Sequence, residues 1–372
     1  MAGKLTYTLQ EYQDAAHRWK SELLMLPILG SNETLQFMTG RPGIRYKESV
    51  GTASYNAQFG PYAPGRRSNE NLKLDFRTLE TFLGSVVSDF EPNTAISTLL
   101  GSGATKGDGQ MKTPSAKLVL ALMAQSLSFN LNNSIWAAQR NPNGSTTMDL
   151  FDGFDTITSK EITAGTIAAN KGNYLKLTEQ ITKQNCCDVM KDILFHLDPH
   201  LRAQKLYAYC SQEIVDMYNE SYQLSHGGLP YNTKYVQNAV EGSDGKLILV
   251  PLSNKADSKF IHITTKANML YGYDNMSDET SIDVKEYAPF TLSFLATMFF
   301  GVQFETIDKR RFKVIELADP EPANPGTGGE SGNQGGNQGG EGGDNSPENP
   351  GGENQGGNGG DNPDNNGAGA GA

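Results

Sequence analysis

Thr113-Pro-Ser-Ala-Lys-Leu-Val-Leu-Ala-Leu-Met-Ala-Gln-Ser-Leu-Ser-Phe-Asn-Leu-Asn-Asn-Ser-Ile-Trp-Ala-Ala-Gln-Arg140 is the stretch on which the fold turns. Thr113 is a good N-cap, and Pro114 stands at the first helical position, where a missing N–H costs nothing. No further Gly or Pro interrupts the stretch before Asn141-Pro142, and Leu120, Ala124, Leu127, Leu131 and Ile135 recur at helical spacing. At 1.5 Å per residue the predicted helix is roughly 40 Å long, whereas globular helices average about 11–12 residues. Behind it lies Asp149-Leu-Phe-Asp-Gly-Phe-Asp-Thr-Ile-Thr158. Asp152 and Asp155 flank Gly153 there and are read as part of a turn leading off the helix rather than as paired carboxylates.

Upstream, residues 1–36 have the pattern of an arm. Thr8-Leu-Gln-Glu11 fits a capping box, and Tyr12, Ala16, Trp19, Leu23 and Leu26 form one apolar stripe on a helix that Pro27 stops. So short a helix must dock, either on its own body or on a neighbouring subunit. Residues 37–84 are rich in Gly and Pro, with strand-like pieces at 45–50 and 72–82, which predicts a long two-stranded excursion. It carries seven Lys/Arg (Arg41, Arg45, Lys47, Arg66, Arg67, Lys73, Arg77) against four acids, with Tyr46, Tyr55, Phe59 and Tyr62 interleaved. That composition suits single-stranded nucleic acid or an arm lying on an acidic neighbour, and a polar loop this long points to a function. Residues 85–146 are expected to form a domain around the long helix 113–140. The glycines of 101–109 resemble a phosphate loop only superficially, because Lys106 is followed by Gly-Asp-Gly instead of Ser/Thr opening a helix.

Downstream, residues 147–270 alternate. A helix is predicted over 181–197, a strand over 205–209, a helix capped by Ser211 and ended by His226-Gly-Gly228, and buried strands over 246–252 and 259–265. Residues 271–318 add strands at 281–287, 292–305 and 311–317, expected to return beside the long helix. From Asp319 to Ala372 the chain is acidic and Gly/Asn-rich, and cannot bury enough surface to offset chain entropy. It is expected to be a coil spanning roughly 35–40 Å. Its negative charge suits an outward-facing brush on a larger particle; a dispensable extension is the alternative.

This order of parts resembles the major capsid proteins of tailed bacteriophages with the HK97 fold. The long helix corresponds to the spine helix of the peripheral domain, residues 37–84 to the E-loop, and 147–270 to the axial α/β domain. Asn268, Leu270, Gly272 and Asp274 stand at a spacing similar to an Asn-Leu-x-x-Gly-x-Asp turn of that family, and Gly301-Val-Gln303 follows on a long strand. The resemblance covers about residues 37–317 and implies an α+β fold. It also implies a shell protein that assembles with itself into pentamers and hexamers of an icosahedral capsid around double-stranded DNA, with no sequence-specific reading. A portal and a separate scaffold are the further partners it implies, and the virion, assembled in the host cytoplasm, is the expected location. Tyr12, Trp19, Leu23, Arg41, Arg45, Lys47, Arg66 and Arg67 are the candidate inter-subunit contacts. Some shells of that family crosslink an E-loop Lys to a neighbour's Asn. Lys47 and Lys73 lie in the matching region, but neither aligns to the reactive position, so crosslinking is not carried over.

Charge and chemistry agree with a container. The net charge is −11, and removing the nine acids from Asp319 onward leaves −2, which is not the footprint of a general nucleic-acid binder. Cys186, Cys187 and Cys210 make an odd count with two adjacent, so no disulfide framework is expected and synthesis in a reducing cytoplasm is. No apolar stretch is long enough for a membrane span. Cys186-Cys187 opens a helix, where a thiol pKa can fall, but no His or CxxC pattern joins it. His196 and His200 are four apart, but Pro199 breaks the helix between them and with it any metal spacing. No catalytic constellation, metal site or cofactor site is expected. The other readings are an encapsulin-type compartment with a protein cargo and an unrelated α+β enzyme.

Overall fold

The structure is a computed structural model that describes residues 9–19, 23, 32–54, 60–65, 73–91, 112–227, 238–274, 282–288 and 291–319. The long helix runs from Lys112 to Ala137. Two five-stranded sheets are built around it, and a two-stranded sheet stands apart. In the first, β1 (Thr39–Pro42), β9 (Met269–Tyr273), β11 (Thr291–Phe304) and β10 (Ile282–Ala288) follow in that order, and β4 (Phe82–Phe90) pairs with β11. In the second the order is β5 (Tyr174–Lys176), β12 (Phe312–Glu316), β8 (Phe260–Thr264), β6 (Leu206–Ser211) and β7 (Leu247–Leu252). The two-stranded sheet is β2 (Lys47–Ser54) with β3 (Lys73–Glu80).

The strand period of two distributes the core. On β8, Ile261 and Ile263 face the helices Cys186–Phe195 and Gln212–His226, packing with Met190, Ile193, Ile214 and Tyr218. On β12 and β7, Phe312, Val314, Val250 and Leu252 face the other way and join Leu131, Ile135 and Trp136 of the long helix. Phe300, Val302 and Phe304 of β11 complete that central core. The first half of the long helix serves a second cluster: Val119 and Leu120 meet Tyr12, Ala15, Ala16 and Leu23 of the arm together with Val284 and Phe294. Asn268 joins the sheets. Its amide bonds Thr264 of β8 at 2.9 Å and accepts from the Thr306 N–H at 2.8 Å, just beyond β11.

Several expectations are corrected. The helix begins at Lys112, so Thr113 lies inside it and Pro114 in its first turn, where no N–H partner is lost. It ends at Ala137, not Arg140, because the chain peels away to pair with the segment behind: Gln139 N–H bonds the Met148 carbonyl and Asn141 N–H the Asp149 carbonyl, each at 2.9 Å. Gly153 crosses the helix end so closely that a Cβ there would sit 2.3 Å from the Trp136 carbonyl oxygen. Asp155 belongs not to a turn but to the first turn of the helix Phe154–Thr163. Leu127 is only partly buried; Ser128 takes the buried position beside it.

Domain limits shift too. Residues 32–38 belong to the body, since Leu35 and Met38 enter the central core. The limit at 84/85 falls inside β4 and the limit at 270/271 inside β9. β12 pairs with β5 and β8 in the second sheet, so the last strand does not return to the first domain. Asp319 is also part of the body, with Lys176 at 3.6 Å and Lys259 at 3.7 Å. The capping Thr8, Leu26, the glycines of 101–109 and the acidic segment from 320 onward lie outside the described residues. Among the described residues, no helix is long and apolar enough to cross a membrane.

Candidate functional site: the hairpin and its root

β2 and β3 pair antiparallel over their whole length, from Lys47 opposite Glu80 to Ser54 opposite Lys73. At about 3.4 Å per residue, eight residues carry the hairpin roughly 27 Å from its root. Among the described residues of the hairpin, those that are buried lie toward the root: Val50 and Leu79 pack with Ile44 and Leu270. Farther out, Phe76 is 63% exposed and Tyr62, beyond the strands, 94%.

The root is fixed by a crossing over the first sheet. Gly272 of β9 and Gly301 of β11 stand opposite each other. A Cβ on Gly301 would come 2.0 Å from the Glu80 carbonyl oxygen, and one on Gly272 2.8 Å from the Thr81 side chain. The pair of glycines therefore makes a bare window through which the chain passes from β3 into β4. Thr81 N–H donates to the Tyr46 carbonyl at 2.7 Å, with Tyr46 in the left-handed region at φ 75°. Arg77, a largely buried side chain, donates to Glu161 at 2.6 Å and to the Gln303 side-chain oxygen at 3.0 Å. The Gln303 side-chain amide donates to the Thr78 carbonyl at 3.1 Å. Thus the Gly and Gln of the Gly301-Val-Gln303 phrase both serve the hairpin.

The contact candidates fall into three groups. Arg41, Arg45 and Lys47 gather at the root and pair within the chain, with Glu48 at 3.6 Å, Asp274 at 3.1 Å and Glu80 at 3.1 Å, while keeping partly exposed. Tyr12 and Leu23 are buried in the subunit's own core and Trp19 is partly buried against it, so the arm's apolar stripe is covered by its own body and offers a neighbour little of these residues. Arg66 and Arg67 lie outside the described residues.

The three cysteines are free and buried. Burial pushes Cys186 and Cys210 up to about 12, and raises Cys187, so a lowered pKa at the helix start is not what the fold produces. His196 and His200 are exposed, and no group of three metal-ligating side chains occurs among the described residues.

Sequence reasoning missed a buried polar centre beside Trp136. Lys255, 1% exposed, places its ammonium 2.9 Å from Asp155 and 4.2 Å from the Trp136 ring centroid. His262 is fully buried, its Nε2 2.8 Å from the Thr158 hydroxyl. Burial holds both Lys255 and His262 below their ordinary pKa values. The alternation Phe260-Ile-His-Ile-Thr264 was the available signal, since it turns His262 away from Ile261 and Ile263 toward the long helix; nothing nearby in sequence marks Lys255.

No family model matches the chain, and no curated protein matches it. Solved structures do. A chain of the satellite phage P4 procapsid including the size determination (Sid) protein matches with a TM-score of 0.50 at 14% identity, over 80% of this chain and 98% of that one. The capsid of a native GTA particle gives 0.50 at 12%, over 78% and 91%. That of an empty GTA particle gives 0.50 at 10%, over 78% and 90%. The chain has the HK97-type fold of phage capsid proteins.

Proposed function

We propose that this chain is the shell subunit of a phage-type icosahedral capsid. The likeness to procapsid and capsid chains, over 80% and 78% of this chain, carries the reading. The hairpin supports it. A two-stranded ribbon standing off its body is marginal in water and gains stability from a partner surface. The subunit's role is geometric: the hairpin grips an adjacent copy, and copies close into pentamers and hexamers around double-stranded DNA held without sequence reading. Arg66 and Arg67 supply positive charge for an acidic neighbour. A portal and a separate scaffold complete assembly in the host cytoplasm, and the product is part of the virion. The chain acts structurally, not as an enzyme. The likenesses favour a phage-type shell over an encapsulin-type compartment. Electron microscopy of the purified full chain tests this: closed shells or capsomer rings are expected, and a protein that stays monomeric under assembly conditions, alone and with a co-expressed scaffold, contradicts it.

A further inference from the structure

We propose that Lys255 and Asp155 become joined by an amide bond inside the folded chain. The two groups are 100 residues apart in sequence and 2.9 Å apart in space. Lys255 is completely enclosed, with the Trp136 ring on one side and the Ser258 hydroxyl at 2.6 Å. A fully enclosed ammonium held at contact with a largely buried carboxylate has the proximity of an intramolecular reaction, where effective concentrations reach about 10⁵–10⁸ M. Keeping the Lys255 charge out of water is costly, and condensation removes it together with the charge of its partner.

The third group needed is a proton carrier, and His262 supplies it. The Thr158 hydroxyl donates its one proton to the Phe154 carbonyl at 2.8 Å. With its proton so placed, it accepts from His262 Nε2–H at 2.8 Å. That tautomer, assigned from the network, leaves Nδ1 with a bare lone pair. Nδ1 is buried, makes no hydrogen bond, and lies 3.8 Å from Asp155 Oδ1. Burial also lowers the Lys255 pKa, so the amine form is within reach.

The step balances. A proton moves along the Nζ–Oδ1 hydrogen bond, giving amine and carboxylic acid. The Nζ lone pair forms a bond to Cγ. His262 Nδ1 takes a proton from the nitrogen and returns it to the departing hydroxyl. The Cγ–O bond breaks, and water leaves carrying the protons the nitrogen lost. Ammonium plus carboxylate thus becomes amide plus water, with no oxidant or co-reactant. The link ties the helix Phe154–Thr163 to the turn before β8, and closes a long loop as a disulfide does where no disulfide is available. It does not depend on the shell reading.

Intact-mass spectrometry of the denatured full chain, with peptide mapping, is the test. The wild-type chain is expected one water lighter than its sequence mass, with the Asp155 and Lys255 peptides recovered as one branched species. Lys255→Arg is expected at its full sequence mass. Asp155→Asn is expected to link with loss of ammonia in place of water, and His262→Gln to link more slowly after refolding. Recovery of Lys255 and Asp155 from the folded wild-type chain in separate, unmodified peptides after prolonged storage at neutral pH overturns the proposal, whatever the variants do.

Discussion

The hairpin and the core beside Trp136 come from the same chain and differ in what completes them. Trp136, Phe154, Tyr209, Phe300 and Phe304 are closed over by two sheets and a helix, and each is fully buried within the subunit. The hairpin has one buried end, held by the Gly272–Gly301 window and by Arg77, and strands that pair only with each other among the described residues. The body folds by its own burial. The hairpin is held at the root, and in the proposed function a second copy of the chain finishes it. Substitutions should therefore separate cleanly: in the body they change folding, and along the hairpin they change assembly.

The largest effect is expected in the body. Trp136→Ala should cost about 3–5 kcal/mol and Leu131→Ala about 2–5 kcal/mol in denaturant unfolding. A loss below about 0.5 kcal/mol for either would place the core elsewhere. Deleting residues 1–23 should also lower folding stability, because Tyr12, Ala16 and Leu23 sit on the same cluster as Leu120. A truncated chain that unfolds like the full one would return the arm to a neighbour.

Arg77→Ala comes next. It breaks the link between the hairpin root and Glu161, for which about 1.5–3 kcal/mol is the usual scale for a charged hydrogen bond. Shell yield should fall with it; unchanged stability and yield together would show that the root is held by the glycine crossing alone.

Acid gives a smaller effect with a defined sign. His262 is neutral when folded, with a pKa well below its ordinary 6.5, while the unfolded imidazole takes up a proton near that value. Stability is therefore full above about pH 6.5 and declines as pH falls below it. His262→Gln should flatten unfolding midpoints between about pH 6.5 and 5. An unchanged slope in that variant would assign the acid loss to other groups.

Smallest of all is Phe76→Ala, on the exposed hairpin face, which should leave monomer stability within about 0.5 kcal/mol. Its effect should be seen only in assembly by sedimentation.

The same division explains what the sequence disclosed. The long helix and the strands of the second sheet are legible because burial imposes a period: Leu120, Ala124, Leu131 and Ile135 lie on one stripe, and Ile261 and Ile263 on one strand face. The hairpin was legible from Gly/Pro content and mixed basic and aromatic residues. What was hidden depends on contacts between distant segments. The helix end is set by Gly153 crossing Trp136, the destination of β12 by pairing with β5 and β8, and the role of Asp155 by Lys255. No local pattern encodes those meetings.

The central claim is that the hairpin is completed by a second copy of this chain. Its most direct test is charge reversal in the sequence between β2 and β3, Arg66→Glu with Arg67→Glu, compared with wild type by electron microscopy and circular dichroism. The account predicts a folded subunit with an unchanged spectrum that no longer closes into shells. Normal shells from the double variant would contradict it.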